Sequence, residues 1–185
     1  FDRQTHPTRV NVRFDKSELL LKQFGDFKVW LDRLDFAVSA GMIVDGHHEP
    51  HLTNFMRENI RPGMTVVDIG ANIGAHTMLA ASIVGNEGRV LAFEPNSENC
   101  RLILLSLAEN GFESNVSLFP MALSDKADAL FFSPAVGSNG ILLPSKAETL
   151  FDPNCIVVPA MRLDDIVNEP VNFIKADIEG AEYLA

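Results

Sequence analysis

The chain has 185 residues, 46% of them hydrophobic, a length and composition that suit one layered globular domain. Its formal net charge of −10, with Lys and Arg scattered rather than striped, excludes a face for duplex nucleic acid, which presents about one negative charge per 1.7 Å of helix axis. No apolar run reaches the roughly 18 residues of a membrane span, and Cys100 and Cys155 have neither metal nor redox spacing, so a cytoplasmic protein with reduced thiols is expected.

Near the N-terminus, "SELLLKQF" (17–24) reads as a short helix and "FKVWLD" (27–32) as a strand of bulky and branched residues. "LDFAVSAGMIVDG" (34–46) is too short to reveal its period and fits either helix or strand. "EPHLTNFMRENIRPG" (49–63) predicts a helix, because Leu52, Phe55, Met56, Asn59 and Ile60 fall at helical spacing and Pro62-Gly63 closes it.

From there strands and helices alternate. "MTVVDIG" (64–70) reads as a buried strand, "AHTMLAASIVG" (75–85) as an apolar helix, and "RVLAFEP" (89–95) as a second strand stopped by Pro95. "SENCRLILLSLAENG" (97–111) predicts an amphipathic helix with Ser97 as its N-cap and Gly111 as its end. "NVSLFPMALSD" (115–125) supplies a third strand. Residues 126–161 break the rhythm with strand-like ends (129–132 and 155–160) around a Gly/Pro/Ser-rich middle, an excursion holding a hairpin or loop. "RLDDIV" (162–167) is a helical turn and "VNFIKADIEG" (171–180) a fourth strand. Near-continuous apolar strands joined by single helices predict an α/β doubly wound, Rossmann-like, mostly parallel sheet. Residues 1–48 are expected to form an N-terminal appendage and residues 49–185 the sheet domain.

Ligands of a doubly wound sheet sit at the carboxyl ends of its strands, so "VVDIGANIGAHT" (66–77) is the first place to look. Gly70 and Gly74 are expected to leave the backbone open to a ligand, and the helix starting near Ala75 to direct free N–H groups at an anionic part of it. A dinucleotide turn, G-x-G-x-x-G, is matched only in part, because Asn72 stands at the third position and Ala75 at the sixth. The carboxylate of Asp68 would repel a pyrophosphate. It suits S-adenosylmethionine, which has no phosphate and carries an ammonium, a carboxylate and a sulfonium.

Taken together, "GHHEPHLTNFMRENIRPGMTVVDIGANIGAHTMLAA", "RVLAFEPNSENCRLILLSLAENG", "MALSD" and "FIKADIEGAE" resemble the FkbM-type family of class I S-adenosylmethionine-dependent methyltransferases, over about residues 42 to 182. The resemblance implies further strands after the fourth, so the sheet is expected to be C-terminally incomplete here. It also places "ALSD" beside the adenine ring, with Leu123 on its face and Ser124 and Asp125 at its edge. An acid-proline pair precedes the first motif in the family pattern, which puts Glu49 over the donor or acceptor pocket.

Glu94 ends the second strand, 24 residues after Gly70, where a carboxylate can accept both hydroxyls of a ribose. In "IKADIEGAE", Lys175 is expected to lie deeper in the sheet edge or to pair locally with an acid, while Asp177 and Glu179 lie at the mouth beside the first strand as candidates for the general base or for orienting an acceptor hydroxyl. Alternatively, Asp177 contacts only the donor's ammonium and Glu179-Gly180 caps the next helix. Asp177 would supply one oxygen to a magnesium ion, but no dedicated ligand set accompanies it. "HHEPH" (47–51) reads as a structural loop, because Pro50 interrupts it and no cysteine joins it, so no metal site is expected.

The reading is an enzyme that uses S-adenosylmethionine to O-methylate a small-molecule acceptor, with a hydroxyl of a sugar, glycolipid or polyketide as the kind the resemblance implies. No nucleic-acid partner and no membrane insertion are expected, and the outer edge of the fourth strand leaves room for a second copy of the chain. An NAD-dependent oxidoreductase shares the glycine turn and Glu94, and a non-catalytic cofactor-binding module would keep Asp68 and Glu94.

Overall fold

Gly25 turns the chain back on itself at φ +60°, a conformation that a residue without Cβ adopts without strain. In this computed structural model, which describes residues 18–134, 139–143, 151 and 153–178, β1 (Leu19–Phe24) and β2 (Phe27–Asp32) form an antiparallel hairpin across Gly25-Asp26. The helix expected over 17–24 is therefore a strand. The two-residue Gly-Asp loop is the signal that outweighs the apolar run "LLL". Val29 and Leu31 of β2 are fully buried. The hairpin is fastened to a later helix, as described below.

The segment of undecided period contains α1 (Ser39–Asp45). Next comes α2 (Pro50–Asn59), with Pro50 at its start, where a missing N–H does no harm, and with Met56 and Ile60 turned into the core. Then follow β3 (Thr65–Ile69), α3 (Ala75–Val84), β4 (Arg89–Phe93), α4 (Ser97–Asn110) and β5 (Val116–Phe119). The cap of α4 is Asn96 rather than Ser97: its Oδ1 accepts the Glu98 N–H at 3.0 Å. In α4, Ser106 and Asn110 hold the hairpin. Ser106 Oγ accepts the Trp30 N–H at 2.9 Å, and the Asn110 amide accepts from Lys28 N at 2.8 Å and donates to Lys28 O at 2.7 Å.

The third strand expected over 115–125 is divided. After β5 the chain passes Pro120 and pairs again as β6 (Ala122–Leu123) in a different sheet, with β7 (Asp128–Pro134), β8 (Gly140–Leu143) and β9 (Ile156–Met161) in the order β6-β9-β7-β8. This sheet is the excursion that interrupts the alternation. The short α5 (Leu163–Ile166) then leads to β10 (Phe173–Ala176).

β10, β3, β4 and β5 make a parallel sheet in that order, with Lys175 opposite Asp68 and Ala92 opposite Asp68 on the other side. Its residues alternate between two cores. Val66, Val90, Ala92 and Val116 join α2, α3, α4 and the hairpin on one face, while Val67, Ile69, Leu91 and Phe93 meet Leu163 and Ile166 of α5 on the other. The architecture is an α/β, doubly wound, mostly parallel sheet of the Rossmann-like kind. Cys100 and Cys155 are both free, and among the described residues no helix is long and apolar enough to cross a membrane.

Candidate functional site

The turn between β3 and α3 spends its own polar groups. The N–H groups of Gly70 and Ala71 both go to the Phe93 carbonyl at 3.0 Å, Asn72 N–H to Glu94 Oε2 at 2.8 Å, Ile73 N–H to Asn72 Oδ1 at 2.8 Å, and Gly74 N–H to the Ala71 carbonyl at 2.9 Å. The N–H groups of residues 70–74 are thus spent within the turn and on β4, while the expectation of free N–H groups concerned the helix start near Ala75. Asn72 explains why a second glycine is not needed. It sits at φ 51°, in the left-handed region that Asn tolerates, and its side chain closes the turn on Ile73 while Nδ2 donates to Asn139 Oδ1 at 3.0 Å.

The glycines also serve contacts other than those expected. Gly70 has φ +74°, and a Cβ there would collide with the carbonyl of Asp177 and with Ile178 Cγ2, so its bareness admits the end of β10. A Cβ on Gly74 (φ +88°) would meet Ile103 Cγ1 at 2.8 Å, so Gly74 lets α3 start against α4.

Asp68 is fully buried. Thr77 Oγ1 donates to its Oδ2 at 2.6 Å, and the Lys175 ammonium lies 3.2 Å from Oδ1. Lys175 is itself 8% exposed and donates to the Gly70 carbonyl at 2.7 Å. Lys175 is thus set into the sheet and faces an acid that is its cross-strand neighbour rather than its neighbour in sequence. Among the described residues no donor meets Oδ1 with hydrogen-bond geometry, and the Lys175 ion pair compensates that oxygen.

Glu94 is also buried, at 5% exposure. Its Oε1 accepts from Asn96 N–H at 2.9 Å and Asn99 Nδ2 at 3.3 Å, and its Oε2 from Asn72 N–H. Burial outweighs these donors and raises its pKa from 4.5 to about 7. Cys100, whose thiol donates to the Glu94 carbonyl at 3.1 Å, is raised to about 12 by burial.

Two crevices flank the turn and share Gly70, Asn72 and Asp177 as a common wall. The first, about 550 Å³ measured out to its open mouth, is walled by Glu94 and the apolar Phe93, Met121, Leu123 and Phe132. The second, about 760 Å³ on the same measure, is polar and is lined by His48, Glu49, His76, Lys175 and Asp177. Ser124 and Asp125 line neither. The Ser124 N–H goes to the Met161 carbonyl at 2.9 Å and its hydroxyl to Asp125 Oδ1 at 3.2 Å, leaving Ala122 and Leu123 as the "ALSD" residues on the wall. Asp177 is exposed where the crevices join, and Glu179 lies outside the described residues.

His76 was missed by the sequence reading. It is 5% exposed at the start of α3, and burial lowers its pKa from 6.5 to about 4, so it is a neutral imidazole. Burial lowers His48 too, against an opposing pull from Glu49. His76 Nε2 lies 3.7 Å from Glu49 Oε2, too long for a hydrogen bond, and a neutral ring makes no ion pair. The signal was a histidine in an otherwise apolar helix start, which nothing in the spacing of 47–51 links to Glu49.

Residues 68–185 match the family described as Methyltransferase FkbM domain, more than half of the chain. The chain belongs to the FkbM methyltransferase family. No curated protein sequence matches it. Among solved structures, it is similar to the methyltransferase FkbM from Methylobacillus flagellatus KT, at 21% identity and TM-score 0.46 over 72% of this chain and 34% of that one. It is also similar to a SAM dependent methyltransferase from Aquifex aeolicus, at 24% identity and TM-score 0.36 over 42% and 40% of the two chains. A third is Methanocaldococcus jannaschii Trm5 in complex with adenosine, at 15% identity and TM-score 0.43 over 56% and 29%. The chain thus spans less than half the length of each of these structures.

Proposed function

We propose that this FkbM family member transfers a methyl group from S-adenosylmethionine to a hydroxyl of a small molecule of the sugar, glycolipid or polyketide kind. The observation that carries this reading is the pair of crevices, one apolar and one polar, that meet at Gly70, Asn72 and Asp177. A ligand with a nucleoside at one end and a zwitterionic amino acid at the other matches that division. A pyrophosphate is matched poorly, because the turn N–H groups that would cradle it are consumed internally.

When bound, S-adenosylmethionine supplies an electrophilic methyl on a sulfonium. Glu94, fixed by three donors on its strand end, offers its remaining acceptor capacity to ribose hydroxyls. Leu123, Met121 and Phe132 give the adenine an apolar wall. Asp68 acts at one remove, holding Lys175 and Thr77 and through them the turn. Asp177, at the junction, accepts the acceptor's hydroxyl proton as the new oxygen–carbon bond forms and the sulfur–carbon bond breaks. Holding three atoms in line contributes up to about 7–11 kcal/mol in well-oriented reactions, and a base about 10²–10⁴-fold.

Thermal unfolding with S-adenosylhomocysteine tests the donor assignment. At 100 times its dissociation constant the ligand adds about 2.7 kcal/mol, several degrees in Tm. Asp177→Asn is expected to keep that shift and to lose about 10²-fold or more in transfer of labelled methyl to a panel of hydroxyl compounds. Stabilisation by NAD with none by S-adenosylhomocysteine overturns the reading.

A further inference from the structure

His48 and Glu49 end the loop before α2, and His76 comes from the first turn of α3, yet one ligand atom from each lies within 4.8 Å of the other two. Ligands bound to one metal ion at about 2.0–2.2 Å lie some 3–4 Å apart, so small side-chain rotations close this set, and the 3.7 Å between His76 Nε2 and Glu49 Oε2 is already there. Two observations point to an occupant. Among the described residues His76 Nε2 is buried without a hydrogen-bond partner, although a buried polar nitrogen left unpaired costs on the order of 1–3 kcal/mol. Glu49 holds φ 39°, a left-handed conformation uncommon outside glycine and asparagine, and its Oε2 lies 3.7 Å from His76 Nε2, while the His48 and His76 rings stand 4.9 Å apart between centroids.

The surrounding charge agrees. Three carboxylates, Glu49, Asp177 and the deeper Asp68, face the single Lys175 ammonium around this crevice, leaving a net negative field. We propose that His48, Glu49 and His76 form a binding site for one divalent transition-metal cation, held through two imidazole nitrogens and one carboxylate oxygen, with its remaining positions open to the polar crevice. Two nitrogen donors and one oxygen favour zinc, cobalt, iron or manganese over magnesium, which prefers oxygen alone. His47 and His51, which gave the sequence its histidine-rich look, are not members of the cluster.

Titration of chelator-treated full chain with Co²⁺ tests the proposal by a readout separate from methyl transfer. One equivalent is expected to bind and to develop visible d–d absorption that Zn²⁺ abolishes by competition. His48→Ala and Glu49→Gln, both on the accessible side of the cluster, are expected to weaken binding at least tenfold with the far-UV circular dichroism unchanged, while His51→Ala leaves it unaltered. Absence of saturable one-equivalent binding, or equal affinity in His48→Ala, Glu49→Gln and the parent, overturns the site. Since the readout is metal binding, its failure leaves the donor assignment standing, and failure of the S-adenosylhomocysteine shift leaves the metal site standing.

Discussion

Glu94 couples two properties through one proton. Its pKa rises from 4.5 to about 7 on folding because burial outweighs three hydrogen bonds, so the neutral acid is the form the fold prefers. The stability it contributes is present below pH 4.5 and is lost as pH rises through about 7, by up to about 3 kcal/mol. Ionised Glu94 is the better acceptor for ribose hydroxyls. Between pH 5 and 8, ligand-free Tm is therefore expected to fall while affinity for S-adenosylhomocysteine rises. Glu94→Gln should flatten the first trend and remove the second, which calorimetric scans and titrations at several pH values read directly. Asn72 shows what the turn sequence left legible at this scale. That a non-glycine residue would take the left-handed position was open to reading, since Asn does so readily, but its three partners were not.

At the scale of elements, the β1–β2 hairpin depends on α4 in a way that no periodicity announces. Asn110 bonds both the N–H and the carbonyl of Lys28, doing for a strand edge what another strand would do. Asn110→Ala leaves both groups to water or to nothing and is expected to cost about 1–2 kcal/mol, measured as a lower urea midpoint. Helices α2, α3 and α4 and strands β3, β4, β5 and β10 were all legible, because buried parallel strands and the helices between them each carry a clear pattern. β1 was not, since a short apolar run has no resolvable period and only the Gly25-Asp26 turn decides it. β6 was merged with β5 for a related reason: a two-residue strand owes its existence to β9, its partner far along the chain.

The whole molecule is acidic, with a net charge of −10 and no basic stripe, and a phosphate backbone requires the opposite. Fluorescently labelled structured RNA is expected to show no change in anisotropy at protein concentrations up to about 10 µM at physiological salt, where non-specific binders have dissociation constants of about 10⁻⁴–10⁻⁶ M. At this scale the placing of the fourth strand of the parallel sheet beside the first was legible, while the composition of the site was legible only in part. Glu94, Asn72 and Asp177 stand on the crevice walls, but the clustering of His76 with Glu49 follows from how α3 and the loop before α2 fold together, which sequence spacing does not encode. The Asp68–Lys175 pair joins residues far apart in the chain, so the acid is synthesised well before its counter-charge. A growing polypeptide therefore holds Asp68 in its sheet with the Thr77 hydroxyl on one oxygen, and the other oxygen gains its counter-charge when β10 docks beside β3.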